Sequence, residues 1–413
     1  MATTAFHGIW SGTAQDIGTS YQTFTYDSAY VNTHDFNAAA DGTLEIPATG
    51  IYLIAATWGG AGNYTRQIRI RKNGTVIRGG NAEVTTGSDG WTTVGQWVGC
   101  CVAGDLIDVQ GQCGGSVPDT FGACTIVRIP LPFVYALCTG EQDDEQQYSE
   151  VSDFEGWHDP GANTKFTVTE TGDYMIATCS NSVGGQHNYR INVNGAIMSP
   201  VNHTAQGPSF DNTLPILTLI HLEADDYVEV WTENAADDQD REGKYWHFAM
   251  WKMPNGAAYV SAEDVSNVIS NNNGSPMALA AKQCDTHGFH DNVTNNTRLT
   301  VPSGKDGIYL IFGGGYGTHG VANGFWVREN NSATYSFGLG RGGTGSTMVV
   351  ACRELVAGDY IELYAYDGTT GNTKFDLRLG ILRLDDLEYS PQLCPLGSSG
   401  LNTIALNLFL GRR

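Results

Sequence analysis

The chain has 413 residues, 44 of them acidic and 22 basic, for a formal net charge of −22. That balance argues against a protein that grips nucleic-acid phosphates, which needs clustered lysine and arginine; it suits a solvated outer surface. The length suggests about three domains, no apolar run reaches the roughly 18 residues of a membrane-spanning helix, and Met1-Ala2-Thr3-Thr4-Ala5 lacks the basic start and apolar run of an export leader.

Read from the N-terminus, a His34-Asp35 pair leads into an apolar strand, Leu44-Glu45-Ile46, and then into Gly50-Ile51-Tyr52-Leu53-Ile54. Ile68-Arg69-Ile70-Arg71-Lys72-Asn73-Gly74 alternates and ends in Asn-Gly, whose positive φ angles make a tight hairpin turn. Ala103-Gly104-Asp105-Leu106-Ile107 and a closing strand, Thr125-Ile126-Val127-Arg128-Ile129, complete the set.

The set then returns in the same order. Its second copy has His158-Asp159, Phe166-Thr167-Val168, Gly172-Asp173-Tyr174-Met175-Ile176, a hairpin from Tyr189 to Asn194-Gly195, Ala224-Asp225-Asp226-Tyr227-Val228 and Phe248-Ala249-Met250-Trp251. The third has His290-Asp291, Leu299-Thr300-Val301, Gly307-Ile308-Tyr309-Leu310-Ile311, Asn330-Asn331 in the hairpin place, Ala357-Gly358-Asp359-Tyr360-Ile361 and a closing strand from Leu377 to Leu382. A period of about 120 to 135 residues is too long for a solenoid and fits a whole small domain. The expected domains are 1–132, 133–254 and 255–386, separated by Pro130-Leu131-Pro132 and by Met253-Pro254-Asn255-Gly256, with a tail over 387–413. Short runs that alternate apolar with polar, separated by Gly, Asn, Asp and Thr, predict an all-β chain of antiparallel sheets with one buried and one wet face, arranged as sandwiches or jelly rolls.

This succession of landmarks resembles the globular-head domain of the complement C1q and tumour necrosis factor superfamily, in three copies over about residues 5–386. The second copy departs at Ala224-Asp225-Asp226, where the family usually has glycine. The resemblance implies ten-stranded jelly rolls that assemble as trimers and bind proteins or glycans, without catalysis. It also implies chain ends that lie close together, so the short linkers predict an intramolecular pseudo-trimer over three beads in a row. There is no collagen-like Gly-X-Y run.

Nine cysteines, without Cys-x-x-Cys and without a repeated framework, are expected to be mainly buried free thiols, with Cys100 and Cys101 on opposite strand faces. In the tail, Leu401, Ile404, Ala405 and Leu408 fit a helical stripe, while Ile404, Leu406, Leu408 and Leu410 fit a strand. Such a tail packs on its own domain or anchors the chain to a partner.

Candidate chemistry is sparse. Gly338-Leu339-Gly340-Arg341-Gly342-Gly343 matches a dinucleotide fingerprint, but a strand-like run follows it instead of a helix, so a loop between strands is expected. The pairs His34-Asp35, His158-Asp159 and His290-Asp291 could be metal ligands, since neutral imidazole and carboxylate bind zinc or nickel; turns ordered by side-chain hydrogen bonds are the plainer expectation. The acidic stretches Glu141-Gln142-Asp143-Asp144-Glu145 and Asp237-Asp238-Gln239-Asp240 offer oxygen ligands of the kind calcium takes, without the spacing of an EF-hand. Calcium apart, no cofactor is expected, and no catalytic residue. Most of the tryptophans at positions 58, 91, 97, 157, 231, 246, 251 and 326 are expected in cores or between the units.

The resulting expectation is a non-enzymatic virion surface protein of a tailed bacteriophage, a capsid decoration or head-fibre protein. It would be made in the host cytoplasm and exposed after lysis, with other capsid or tail proteins as partners and neither nucleic acid nor membrane insertion involved. The alternatives are a receptor-binding tail fibre or spike that recognises host surface glycan, and an exported cell-surface adhesin or lectin.

Overall fold

A computed structural model of the chain describes residues 3–389, except 13–16, 18, 34–35, 37–39, 61–65, 85–91, 116–119, 131–132, 139–143, 146, 149, 154, 183–186, 206–211, 235–245, 271–274, 318–321, 332, 342–344, 368–371 and 388. The first unit runs through β1 (Ala5–Gly12), β2 (Gln22–Thr23), β3 (Ser28–Asn32), β4 (Leu44–Glu45), β5 (Gly50–Gly60), β6 (Arg66–Lys72), β7 (Thr75–Val84), β8 (Thr92–Cys101), β9 (Leu106–Cys113) and β10 (Thr120–Ile129). The second comprises β11 (Phe133–Cys138), β12 (Asp144–Glu145), β13 (Glu150–Asp153), β14 (Phe166–Thr167), β15 (Gly172–Ser182), β16 (His187–Val193), β17 (Ala196–Ala205), β18 (Asn212–Leu222), β19 (Tyr227–Asn234) and β20 (Trp246–Lys252). The third comprises β21 (Tyr259–Ser270), β22 (Ser275–Pro276), β23 (Ala281–Asp285), β24 (Arg298–Thr300), β25 (Gly307–Gly317), β26 (Ala322–Glu329), β27 (Ala333–Arg341), β28 (Gly345–Leu355), β29 (Tyr360–Asp367) and β30 (Asn372–Arg383).

The three units share one topology. In the first, an inner sheet has the order β3-β1-β10-β5-β8, and an outer sheet has β7-β6-β9-β2 with β4 also on β9. The second repeats this as β13-β11-β20-β15-β18 and β17-β16-β19-β12 with β14 on β19, and the third as β23-β21-β30-β25-β28 and β27-β26-β29-β22 with β24 on β29. Every strand pair is antiparallel, so each unit is a two-sheet jelly roll. Each has its own apolar core, built on Trp58, Ile68 and Ile126 in the first, Phe166, Tyr174 and Phe248 in the second, and Phe289, Tyr309 and Leu379 in the third.

Two sequence signatures turn out to be the fasteners of this topology. In the hairpin turns, Asn73, Asn194 and Asn330 take φ values of 52°, 53° and 49°, the left-handed region that asparagine tolerates. From there each asparagine amide donates to the aspartate of the Ala-Gly-Asp signature: Asn73 to Asp105 at 2.7 Å, Asn194 to Asp226 at 2.6 Å and Asn330 to Asp359 at 2.7 Å. Its carbonyl oxygen accepts from the next backbone N–H, of Leu106, Tyr227 and Tyr360. The second carboxylate oxygen of each aspartate accepts from the N–H of Val102, Glu223 or Val356. In the second unit Asp225 occupies, at φ 72°, the place that Gly104 and Gly358 fill elsewhere. The tyrosine of Gly-x-Tyr is equally regular: Tyr52, Tyr174 and Tyr309 each donate to the carbonyl four residues earlier, of Ala48, Glu170 and Lys305.

The one-wet-face expectation holds for the outer sheets and fails for the inner ones. In β6, Ile68 and Ile70 are fully buried while Arg69 and Arg71 face outward. In β5, by contrast, every residue from Ile51 to Trp58 is buried. Tyr52, Ile54 and Ala56 point into the core of their own unit. Leu53 and Ala55 point the other way, into a fourth apolar cluster that also takes Met175 and Ala177 from β15 and Leu310 and Phe312 from β25. The three inner sheets therefore face one another, and their strands read as continuous apolar runs because both faces are dry.

The arrangement is cyclic. The edge strand β7 of the first unit meets β18 of the second at Val84 and Asn212, β17 of the second meets β28 of the third at Ala205 and Gly345, and β27 of the third lies against β8 of the first. In the same rotation β8 packs on β15 and β20, β18 on β21, β23 and β30, and β28 on β1, β3 and β10. The chain folds as an intramolecular pseudo-trimer. Leu387 and Tyr389, at the start of the predicted tail, are buried in the shared cluster; residues 390–413 lie outside the described residues.

Packing near the axis is matched in volume. The third unit has Phe312 beside Gly380, where the second has Ala177 beside Ala249; a Cβ at position 380 would sit 2.2 Å from the Phe312 ring. Because this core belongs to all three units, Leu310→Ala should cost about 2–5 kcal/mol and lower the stability of the whole chain. Urea denaturation followed by tryptophan fluorescence should show one transition moved to lower urea, not a separate early transition of the third unit.

Candidate functional site

Of the three His-Asp pairs, His34-Asp35 lies outside the described residues. The other two do not bring their side chains together. The His158 ring packs 5.4 Å from Phe166, while Asp159 turns outward and accepts the Gly161 N–H at 2.7 Å, capping the short 3-10 turn Pro160–Ala162. His290 is buried, its Nδ1 facing the Arg298 carbonyl at 3.0 Å and its Nε2 the Leu279 carbonyl at 2.8 Å. Asp291 is exposed, and the Thr294 hydroxyl and the Val293 N–H hold its carboxyl below the ordinary carboxylate range. Among the described residues no group of three or more His, Cys, Asp or Glu is placed to hold a metal ion.

The residue that organises these turns stands five positions earlier. Asp153 accepts the N–H groups of Glu155, Gly156 and His158, and Asp285 those of Gly288, Phe289 and His290. The shared run Asp-x-x-Gly-aromatic-His-Asp, at 153–159 and 285–291, carries this signal in the sequence. The first unit lacks it and instead has Asn32, which accepts the Phe36 N–H at 3.0 Å.

The glycine-rich stretch at 338–343 runs as strand β27 through Arg341, and strand β28 follows from Gly345. Asp144 and Glu145 form β12 on the edge of β19, whereas 141–143 and 237–240 lie outside the described residues. Trp58, Trp97 and Trp157 are core residues and Trp251 is axial, as is Phe133 beside it; Trp10, which the sequence does not single out, stacks on Phe24 at 4.4 Å. The cysteines are mainly free thiols, as expected, with one exception. Cys101, Cys113, Cys124, Cys179, Cys284 and Cys352 are free thiols, but Cys100 is disulfide-bonded. Burial pushes the Cys101 and Cys124 thiols up to about 12, so they are poor nucleophiles.

On the outer sheets, arginine and aromatic side chains pair differently in each unit. Arg69 lies over Tyr21 at 3.5 Å, Arg190 over Trp231 at 5.3 Å, and Arg328 over Tyr364 at 4.4 Å, with Trp326 stacked 5.9 Å from Tyr364. These pairs are cation–π contacts on three chemically distinct outer surfaces.

The three junctions around the axis also differ. Between the first and second units the contact is uncharged among the described residues: Gln96 of β8 reaches the Ile216 carbonyl at 3.5 Å, the Cys179 thiol bonds the Gln96 backbone, and His247 pairs across from Cys179 on β20. Between the second and third units an ion pair is buried. Arg378 of β30 bonds both Glu263 of its own unit and Thr218 of the second, and Gln283 donates to the other Glu263 oxygen at 2.6 Å. Burial pulls the Arg378 guanidinium below its usual value, and Glu263 offsets this. Nearer the rim of the same junction, Tyr259 of the third unit donates to Asp173 of the second at 2.8 Å, and Asp173 also holds the His221 Nδ1 at 2.6 Å, which raises that imidazole above its ordinary value. Between the third and first units, Thr125 reaches the Val350 carbonyl at 3.3 Å and the Arg353 guanidinium lies over Tyr30 at 3.6 Å. Strand register makes Arg378, His247 and Ala123 equivalent positions, so one place in the repeat has become a cation, a neutral ring and a methyl group.

Three jelly rolls closed around one dry axis within a single chain define the class: a covalently linked, asymmetric trimer of β-sandwich modules. No protein-family model matches the chain, and no curated protein matches it. Among solved structures it is similar to the globular domain of the zebrafish complement 1qA protein, at 15% identity and a TM-score of 0.27, over 31% of this chain and 97% of that one.

Removing one partner of a buried ion pair strands the other charge. Arg378→Met should therefore destabilise the chain by roughly 3–5 kcal/mol, and the double variant Arg378→Met with Glu263→Leu should regain most of that loss in thermal or urea denaturation.

Proposed function

We propose that the chain is a non-enzymatic structural protein of the virion surface, a capsid decoration or head-fibre protein of a tailed bacteriophage. The observation that carries this reading is the closed ring of three units around a shared apolar core. Sheet edges meet between units, and these contacts hold the body together. Such a molecule is suited to persist outside a cell and to present fixed outer surfaces. Those surfaces are unequal: nearly half of the acidic residues and less than a quarter of the basic ones fall in the second unit. A body of this kind can sit on a particle as a single copy with one side distinguished from the other two. The apolar sequence beyond Tyr389, a residue buried in the shared cluster, or the N-terminal segment from Met1 to Ser20 would supply the attachment.

Light scattering of the full-length protein should give the mass of one chain, 44.4 kDa. A mass of three chains would mean that like units trimerise between chains, and would turn the reading toward a receptor-binding fibre. Antibodies to the purified protein, applied to particles sedimented from lysates of the source cells, should label phage heads. Labelling confined to tail tips would replace the proposal with receptor binding, and labelling of the intact cell surface with an adhesin.

A further inference from the structure

The junction between the first and second units contains polar atoms that the fold leaves without partners. His247 is 1% exposed, and neither of its ring nitrogens has a hydrogen-bond partner; the Gln96 Oε1, on the facing strand β8, has none either. At the equivalent place in the next junction, the two terminal nitrogens of Arg378 are held by Thr218 and Glu263. An imidazole left bare in an apolar seam is tolerated while neutral and costly once charged.

We propose that His247 is an acid-operated latch between the first and second units: protonation of its imidazole parts β8 from the sheet formed by β15 and β20.

Among the described residues, the groups that face His247 are uncharged. From β11 the Tyr135 ring lies 6.4 Å away, nearly parallel; from β15 comes the Cys179 thiol, and from β8 of the first unit the Gln96 carboxamide. No carboxylate among them could receive the new charge, and burial alone holds the imidazole down to about 3, from 6.5. A histidine whose folded value is depressed keeps its full contribution to the closed state above the open-state value, and loses it as the pH falls toward the folded value. The window is therefore 6.5 down to about 3. Within it, each pH unit shifts the closed-to-open ratio about tenfold. Opening at this seam leaves the separate cores of the first and second units intact, since Gln96 shares the axial face of β8 with Val98, while Trp97 on the opposite face belongs to the core of the first unit.

The thiols report on the seam. Cys179 lies in it, whereas Cys124 lies in the core of the first unit. The full-length protein is pulse-labelled with dithiodipyridine, whose protonated pyridine ring keeps it reactive toward cysteine in acid, and modification is located by mass spectrometry. Labelling of Cys179 should rise about fiftyfold between pH 6.5 and 4.5, while Cys124 stays protected. In His247→Leu the rise should vanish and Cys179 should stay protected throughout. An unchanged rise in His247→Leu, or Cys124 labelling in step with Cys179, would overturn the latch. Should His247→Leu fail to fold, the ring-proton resonance of His247 in the wild-type protein decides. Titration coupled to Cys179 exposure supports the latch, and titration at the ordinary histidine value with Cys179 still protected refutes it.

Discussion

The structure depends on the burial of one strand per unit on both of its faces. β5, β15 and β25 send alternate side chains into two different cores, one private to the unit and one common to all three. A sheet with a single dry face can stand alone beside water; a sheet with two cannot. The common core thereby forces the closure of the ring, and the cyclic contacts between strand edges follow from it. The same requirement explains the pairing of Phe312 with Gly380, where a larger side chain on one strand is matched by the loss of one on its neighbour.

Much of each unit could be read from the residues. The Asn-Gly turn and the Ala-Gly-Asp turn were visible as repeated punctuation, and they prove to be two halves of one clasp, with asparagine at positive φ bonded to the aspartate some thirty residues on. Alternation in Ile68-Arg69-Ile70-Arg71 correctly marked a half-wet strand. The continuous run from Ile51 to Trp58 carried the opposite message, because alternation disappears when both faces are buried. Reading it as a one-faced strand missed the second face.

The polar residues of the axis were not legible, and for a physical reason. Arg378 and His247 sit in closing strands whose flanking residues are apolar, and a lone polar side chain in such a strand looks like any solvent-facing position. Only the assembly puts them between sheets. The His-Asp pairs erred in the other direction: two adjacent residues with suggestive chemistry point to different partners, and the organising aspartates, Asp153 and Asp285, stood outside the pattern that drew attention. The Cys100 disulfide likewise has no counterpart at His221 or Glu354, the matching positions of the other units, so no repeated spacing announced it.

Joining the three sandwiches into one polypeptide changes the order of the assembly reaction. Partners tethered by linkers of a few residues meet at a high effective concentration, so the ring closes as a first-order event and does not come apart on dilution. Each seam can then diverge independently, because a substitution enters the ring once instead of three times. The replacement of one repeated position by Arg378, His247 and Ala123 is the visible record of that freedom.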